Sequence, residues 1–101
     1  MDLGIKNRVA MVAGASMGIG YAVARALAQE GVRVVVGSRD EERITAAAER
    51  LSQETGGQVQ GAVLDVRDPD AGLRFVEAAK KHFGPPEILV TNLHQFIQAN
   101  P

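Results

Sequence analysis

Short apolar runs and longer stretches of helical periodicity alternate along the chain from Arg8 to Thr91. Arg8 to Ala13 (RVAMVA) carries a continuous apolar run closed by Gly14, the pattern of a strand buried on both faces. From Gly18 to Glu30, apolar Ile19, Val23 and Leu27 recur at every fourth position beside Ala22 and Ala26. That spacing predicts a helix whose stripe lies on a sheet, and Gly31 ends it. Val32 to Gly37 (VRVVVG) reads as a second strand. Ser38 and Glu41 then stand at capping-box spacing, with Ser38 as the expected N-cap of a second helix. Ile44, Ala47, Ala48 and Leu51 share one face of that helix, and Gly56-Gly57 terminates it.

A third strand is expected from about Gln58 to Leu64. Asp68-Pro69 has the form of a cap followed by proline at the first helical position, and Leu73, Val76 and Phe83 mark the expected buried side of a third helix. Gly84-Pro85-Pro86 stops it, and Glu87 to Thr91 (EILVT) reads as a fourth strand. The order βαβαβαβ implies right-handed crossovers and a parallel sheet with helices on both faces. This predicts a three-layer α/β domain of Rossmann type in which the sheet runs 3-2-1-4 and stops after the fourth strand. The ligand crevice then lies where strands one and four part. Strand four is an open apolar edge, a feature that favours self-association of the chain.

Composition narrows the function classes. The chain has 101 residues, 46% hydrophobic and 23% charged, with a net charge of -1, which fits one small domain. That balance provides no electrostatic footprint for nucleic acid or an acidic membrane surface. Without cysteine, neither a disulfide framework nor a thiolate metal site is available, so a cytoplasmic location is expected. The start MDLGIKNR lacks the form of a signal peptide, and no run approaches the roughly 18 apolar residues of a membrane span.

The chemistry concentrates between the first strand and its helix, where Gly14, Ser16, Met17, Gly18, Ile19 and Gly20 lie within a GxxxGxG spacing. Gly14 permits a tight turn off the strand, Gly18 lets the backbone approach a pyrophosphate, and Gly20 lets the helix pack closely. The helix N-terminus offers unpaired N–H groups to phosphate, with about 0.3–1 kcal/mol from the dipole. Glycines also serve ordinary turns, but this string follows a buried strand and opens a helix, the context of a dinucleotide loop. No Lys-Ser or Lys-Thr pair follows it, which argues against a P-loop NTPase.

In dinucleotide-binding domains the ribose is read at the end of the second strand, and here that place holds Ser38 and Arg39. A carboxylate would bond a 2′-hydroxyl and repel a 2′-phosphate. Ser plus Arg does the reverse, through a charge-assisted contact of about 1.5–3 kcal/mol. NADP is therefore expected ahead of NAD. The alternative is that Arg39 is a solvated residue of the helical first turn near Asp40 and Glu42. A Rossmann-like methyltransferase would want an acidic residue at this position, which Ser38-Arg39 does not supply.

Together these residues resemble the N-terminal half of the short-chain dehydrogenase/reductase family, up to about Asn92. The resemblance rests on VAMVAGASMGIG for the family's TGxxxGxG loop, SRD at the ribose position, LDVRD after strand three and ILVTN for the family's ILVNNAG. It implies that Asp65 and the backbone of Val66 border the adenine and that Ser16 with Arg39 contacts the 2′-phosphate ribose. It also implies that Asn92 lies beside the cofactor's ribose. For Asp65 a turn or cap role stays open, as does a plain strand-end role for Asn92. Ala13 stands where the family usually has Thr, and Met17 where many NADP-dependent members carry a basic residue, so the NADP expectation leans on Arg39.

The resemblance implies hydride transfer between NADPH and a carbonyl or alcohol, as in 3-oxoacyl and carbonyl reductases, by a Ser, a Tyr and a Lys four residues after it. No such set stands in this chain. Its one tyrosine, Tyr21, has Arg25 at i+4 and is expected on a helix surface. His82 and His94 lack partners at metal-ligand spacing, and Glu77 with Lys81 has the spacing of a helix-face ion pair. Residues 1–92 are thus expected to form the front half of a dinucleotide-binding domain, and Leu93 to Pro101 an atypical tail. The expected behaviour is weak nucleotide binding without turnover, or else a noncatalytic nucleotide-binding or self-associating module.

Overall fold

The computed structural model describes residues 4–91. Asn92 and the tail beyond it lie outside the described residues. The elements are β1 (Val9–Ala13), α1 (Gly18–Gln29), β2 (Arg33–Ser38), α2 (Glu41–Thr55), β3 (Val59–Val63), α3 (Ala71–His82) and β4 (Ile88–Val90). All strand pairs are parallel and the order is β3-β2-β1-β4, as the alternation predicts. Met11 is flanked by Val35 of β2 and Leu89 of β4.

Because successive strand residues face opposite ways, each central strand feeds two cores. Ala10, Val12, Val34 and Val36 meet Ala24 and Ala28 of α1 and Ile44, Ala48 and Leu51 of α2 on one face. Val9, Met11 and Val35 meet Phe75 and Ala79 of α3 on the other. The sandwich of sheet between helices explains the unbroken valine run of β2, which has no water-facing side to accommodate.

The face presented by α2 is the one its periodicity predicts: Ile44, Ala47, Ala48 and Leu51 are all buried. The other two helices are rotated from expectation. In α1 the buried residues are Gly20, Ala24 and Ala28, while Ile19 is 81% exposed and Val23 and Leu27 sit half-buried on the flank. A methyl group on Gly20 would collide with the carbonyl oxygen of Gly14. That close approach sets the rotation of the helix, and the small residues one and two turns later follow Gly20 onto the sheet. In α3 the buried residues are Ala71, Phe75 and Ala79, with Val76 and Phe83 packed alongside and Leu73 70% exposed. The ring of Phe75 lies so close over Gly37 that a Cβ there would stand 2.8 Å from two ring carbons. One aromatic on one glycine fixes the phase of this helix.

Two helix starts also differ from expectation. Strand β2 continues through Ser38, which pairs with Val63, so Ser38 is ladder rather than cap. Asp40 is the N-cap of α2, and its carboxylate accepts from the Arg43 N–H at 3.1 Å. Before α3, Asp68 caps a preceding turn instead: its carboxylate accepts from Asp70 N–H at 2.9 Å and its carbonyl from Ala71 N–H at 3.0 Å. The helix therefore begins at Ala71. Among the described residues no helix is long and apolar enough to cross a membrane.

Candidate nucleotide site

In a parallel sheet every strand exits on the same edge, so the turns after β1, β2 and β3 are neighbours. Backbone bonds lock them together. The Gly14 N–H donates to the Gly37 carbonyl at 2.7 Å, and the Leu64 N–H to the Ser38 carbonyl at 2.8 Å. The glycine turn, the Ser38-Arg39 corner and the Asp65-Val66 turn thereby form one continuous rim.

The glycine turn is built for close approach. Gly14 and Gly18 have φ of 73° and 68°, a region costly for any side chain. Ala15 between them is fully buried and anchors the turn in the core. No protein atom lies within 4 Å of where a Cβ on Gly18 would point. The N-cap of α1 is Met17, whose side chain makes no capping bond, and the first turn holds no acidic residue. The first-turn N–H groups of a 12-residue helix thus have no side-chain acceptor, which is what an anion at that position requires. Ser16 is half-buried beside them, and Met17 and Ile19 are exposed on the rim of the turn.

At the end of β2 the Ser38 hydroxyl donates to the Asp40 carbonyl at 3.3 Å. Arg39 is exposed and has no hydrogen bond, ion pair or ring contact among the described residues. The other arginines are all engaged: Arg8 with Glu87, Arg25 with Glu54, Arg43 with Asp40 and Arg74 with Asp68, Arg33 with two backbone carbonyls, Arg50 over the ring of Tyr21 and Arg67 with Asp65.

The turn after β3 contains a contact that pattern reading missed. Arg67 donates to Asp65 three times: from its backbone N–H and Nε to Oδ1, both at 3.0 Å, and from Nη2 to Oδ2 at 2.8 Å. The side-chain bonds of Arg67, then its backbone bond, hold the Asp65 carboxyl at about 2, against burial acting the other way, with further help from the charges of Arg67 and Arg39. The Arg67 guanidinium is raised in turn by Asp65. The signal available in the sequence was Asp-x-Arg across a turn, which has meaning only once the turn folds the pair together. Val66, between them, is exposed.

Tyr21 is half-buried rather than a plain surface residue: its hydroxyl donates to Glu54 at 3.1 Å and its body packs on the core, tying α1 to α2. His82 lies exposed at the end of α3. Glu77 and Lys81 form no ion pair among the described residues. Asn92, the remaining sequence-derived candidate, lies outside the described residues.

The site residues fit a dinucleotide: a backbone cradle open at Gly18, an uncapped helix start, a free guanidinium and an ionised acceptor stand along one rim. Comparison with known proteins identifies the family. The family model for short chain dehydrogenase matches residues 8–94. An uncharacterized oxidoreductase of Staphylococcus saprophyticus is 38% identical over 88 residues, covering 87% of this chain and 38% of that protein. The structure of L-sorbose reductase from Gluconobacter frateurii, complexed with NADPH and L-sorbose, superposes with a TM-score of 0.84 at 38% identity, covering 91% of this chain and 35% of the reductase. Actinorhodin polyketide ketoreductase, solved with NADPH, gives a TM-score of 0.79 at 37% identity over 91% of this chain and 34% of its own. The chain thus spans little more than a third of the length of these proteins.

Proposed function

This chain belongs to the short-chain dehydrogenase family, and from that premise we propose that its C-terminal sheet edge binds the adenosine half of NADP. Gly14, Ser16, Met17, Gly18, Ile19 and Gly20 with the start of α1 take the pyrophosphate. Ser38 and Arg39 take the 2′-phosphate ribose, and Asp65 and Val66 border the adenine. When bound, NADPH supplies a hydride for a carbonyl substrate, and NADP⁺ accepts one from an alcohol. The residues described here bind and orient the cofactor's adenosine end.

The observation that carries this reading is Arg39, the one arginine among the described residues that makes no hydrogen bond, ion pair or ring contact, at the place where a ribose 2′-phosphate is read. Two solved relatives hold NADPH. Tyr21, the chain's one tyrosine, is engaged by Glu54 and Arg50; on our reading these 101 residues by themselves bind nucleotide weakly and without turnover. Isothermal titration with NADP⁺ and NAD⁺ tests the assignment. Saturable NADP⁺ binding should weaken about tenfold for NAD⁺, and by the same factor for Arg39→Ala, the worth of one charge-assisted phosphate contact. Equal affinities for the two nucleotides, or a folded chain that binds neither, overturns it.

A second reading has its own observation. Among the described residues strand β4 pairs with β1 on one side only, and its Leu89 is 61% exposed, so these residues present an edge able to pair with a second copy. Under that reading the chain is a noncatalytic self-associating module. Light scattering on the eluting protein separates the two: a defined dimer supports the module, and a monomer removes it.

A further inference from the structure

The turn after β3 carries more than an acidic residue at the right height. We propose that Arg67 is a positioning residue: where Asp65 borders the adenine, Arg67 fixes its carboxylate with one oxygen left as acceptor, and the site's preference for a 6-amino over a 6-oxo purine depends on that fork. The inference rests on the NADP-binding reading above.

An ionised carboxylate has about four acceptor directions, two on each oxygen. Arg67 takes both on Oδ1, through its backbone N–H and Nε, and one on Oδ2 through Nη2. What remains is a single acceptor direction on Oδ2. The guanidinium is planar and presents its donors in a rigid fork, so the two side-chain bonds fix the plane of the carboxylate, and the backbone bond fixes which oxygen lies toward the chain. The side chain of Asp65 is partly sheltered while that of Arg67 is mostly exposed. The arginine thus holds the acid from the solvent side.

An acceptor held this way matches the 6-amino group of adenine, which offers an N–H. A 6-oxo purine presents an oxygen at the same place, and two acceptors facing each other repel. Asp65 cannot adapt by taking up a proton at neutral pH, because the same three bonds favour its ionised form. Without Arg67 the carboxylate stays ionised but is free to turn away. The base would then be bordered without being read.

The test compares NADP⁺ with its deaminated analogue, nicotinamide hypoxanthine dinucleotide phosphate, by isothermal titration of the full chain and its variants. The unaltered chain should prefer the adenine form by about tenfold, as one charge-assisted hydrogen bond and its loss imply. Arg67→Ala should reduce that preference to about twofold while leaving the ratio of NADP⁺ to NAD⁺ affinity unchanged, which a general loosening of the site would not do. Arg67→Lys keeps the charge and lacks the fork, and should behave like the alanine variant. Since the Arg67 side chain is largely exposed, both variants retain the core. If Arg67→Ala keeps the adenine preference, or if Lys restores it, the positioning role is wrong although the cofactor site stands. If the unaltered chain binds NADP⁺ and the hypoxanthine form equally well, base selection by Asp65 is wrong too. Binding of neither nucleotide overturns both this inference and the cofactor reading beneath it.

Discussion

The two edges of the sheet use similar residues to opposite ends. At the edge where strands enter, polar groups meet one another: Arg8 bonds Glu87 at 2.6 Å, and Arg33 donates to the carbonyls of Asn7 and Phe83. The backbone there closes in the same manner, with Asn7 N–H on the Gly31 carbonyl at 2.9 Å and Glu87 N–H on that of Val9 at 2.8 Å. At the edge where strands leave, the helix that follows β1 starts without a capping side chain, Arg39 makes no hydrogen bond, ion pair or ring contact among the described residues, and Asp65 is held by Arg67. Groups at the first edge stabilise the fold. The second edge has such pairs as well, Arg43 with Asp40 and Arg67 with Asp65, but it also keeps an uncapped helix start and an arginine with no hydrogen bond or ion pair among the described residues, and that contrast underlies the proposed site.

The exit edge is most readily disrupted at Gly20. Gly20→Val drives a branched side chain into the Gly14 carbonyl and should cost about 2–3 kcal/mol, as overpacked sites do, with loss of nucleotide binding. Urea unfolding measures the first effect and titration the second. A variant of unchanged stability would mean that the helix rotation is not set by this contact.

Two arginines, one at each edge, should respond differently to removal. Arg33→Ala removes bonds at the entry edge and should lower stability by about 1–2 kcal/mol with NADP⁺ affinity unaltered. Arg39→Ala should leave stability within about 0.5 kcal/mol, as for other exposed positions, while weakening NADP⁺. An affinity loss for Arg33→Ala, or a stability loss for Arg39→Ala, would erase the distinction between the edges.

The smallest effect concerns pH. Folding lowers the Asp65 carboxyl from its ordinary 3.8 to about 2, chiefly through the side-chain bonds of Arg67. The folded state therefore gains from the ionised form above the unfolded value near 4, and that gain disappears as pH falls through about 2. In Arg67→Ala the Asp65 midpoint should rise toward 3.8, which carboxyl-carbon NMR resolves. A midpoint that stays near 2 would assign the shift to other groups.

Much of this organisation was legible in the residues. The strand order and the α2 face followed from periodicity, because α2 buries its large apolar residues and its pattern and its packing coincide. In α1 and α3 they do not coincide. Ile19 and Leu73 are large, apolar and exposed, since the helix rotations are set by Gly20 against Gly14 and by Phe75 against Gly37, contacts between segments that no local period encodes. The cap of α2 moved from Ser38 to Asp40 because sheet register carries β2 past the position where local spacing would begin the helix. Within the site, the glycine turn was readable from its place between strand and helix. The Asp65–Arg67 fork was not, because two residues apart they meet only through the turn that β3 and α3 impose.

Whether the exit edge alone takes the nucleotide is read from backbone amide signals of the isotopically labelled chain during titration with NADP⁺. Binding at the exit edge should shift Gly14, Ser16, Gly18, Ile19, Gly20, Arg39 and Val66 progressively and leave Asn7, Gly31 and Gly84 unmoved. Shifts centred on the entry edge, or spread evenly over both, would contradict it.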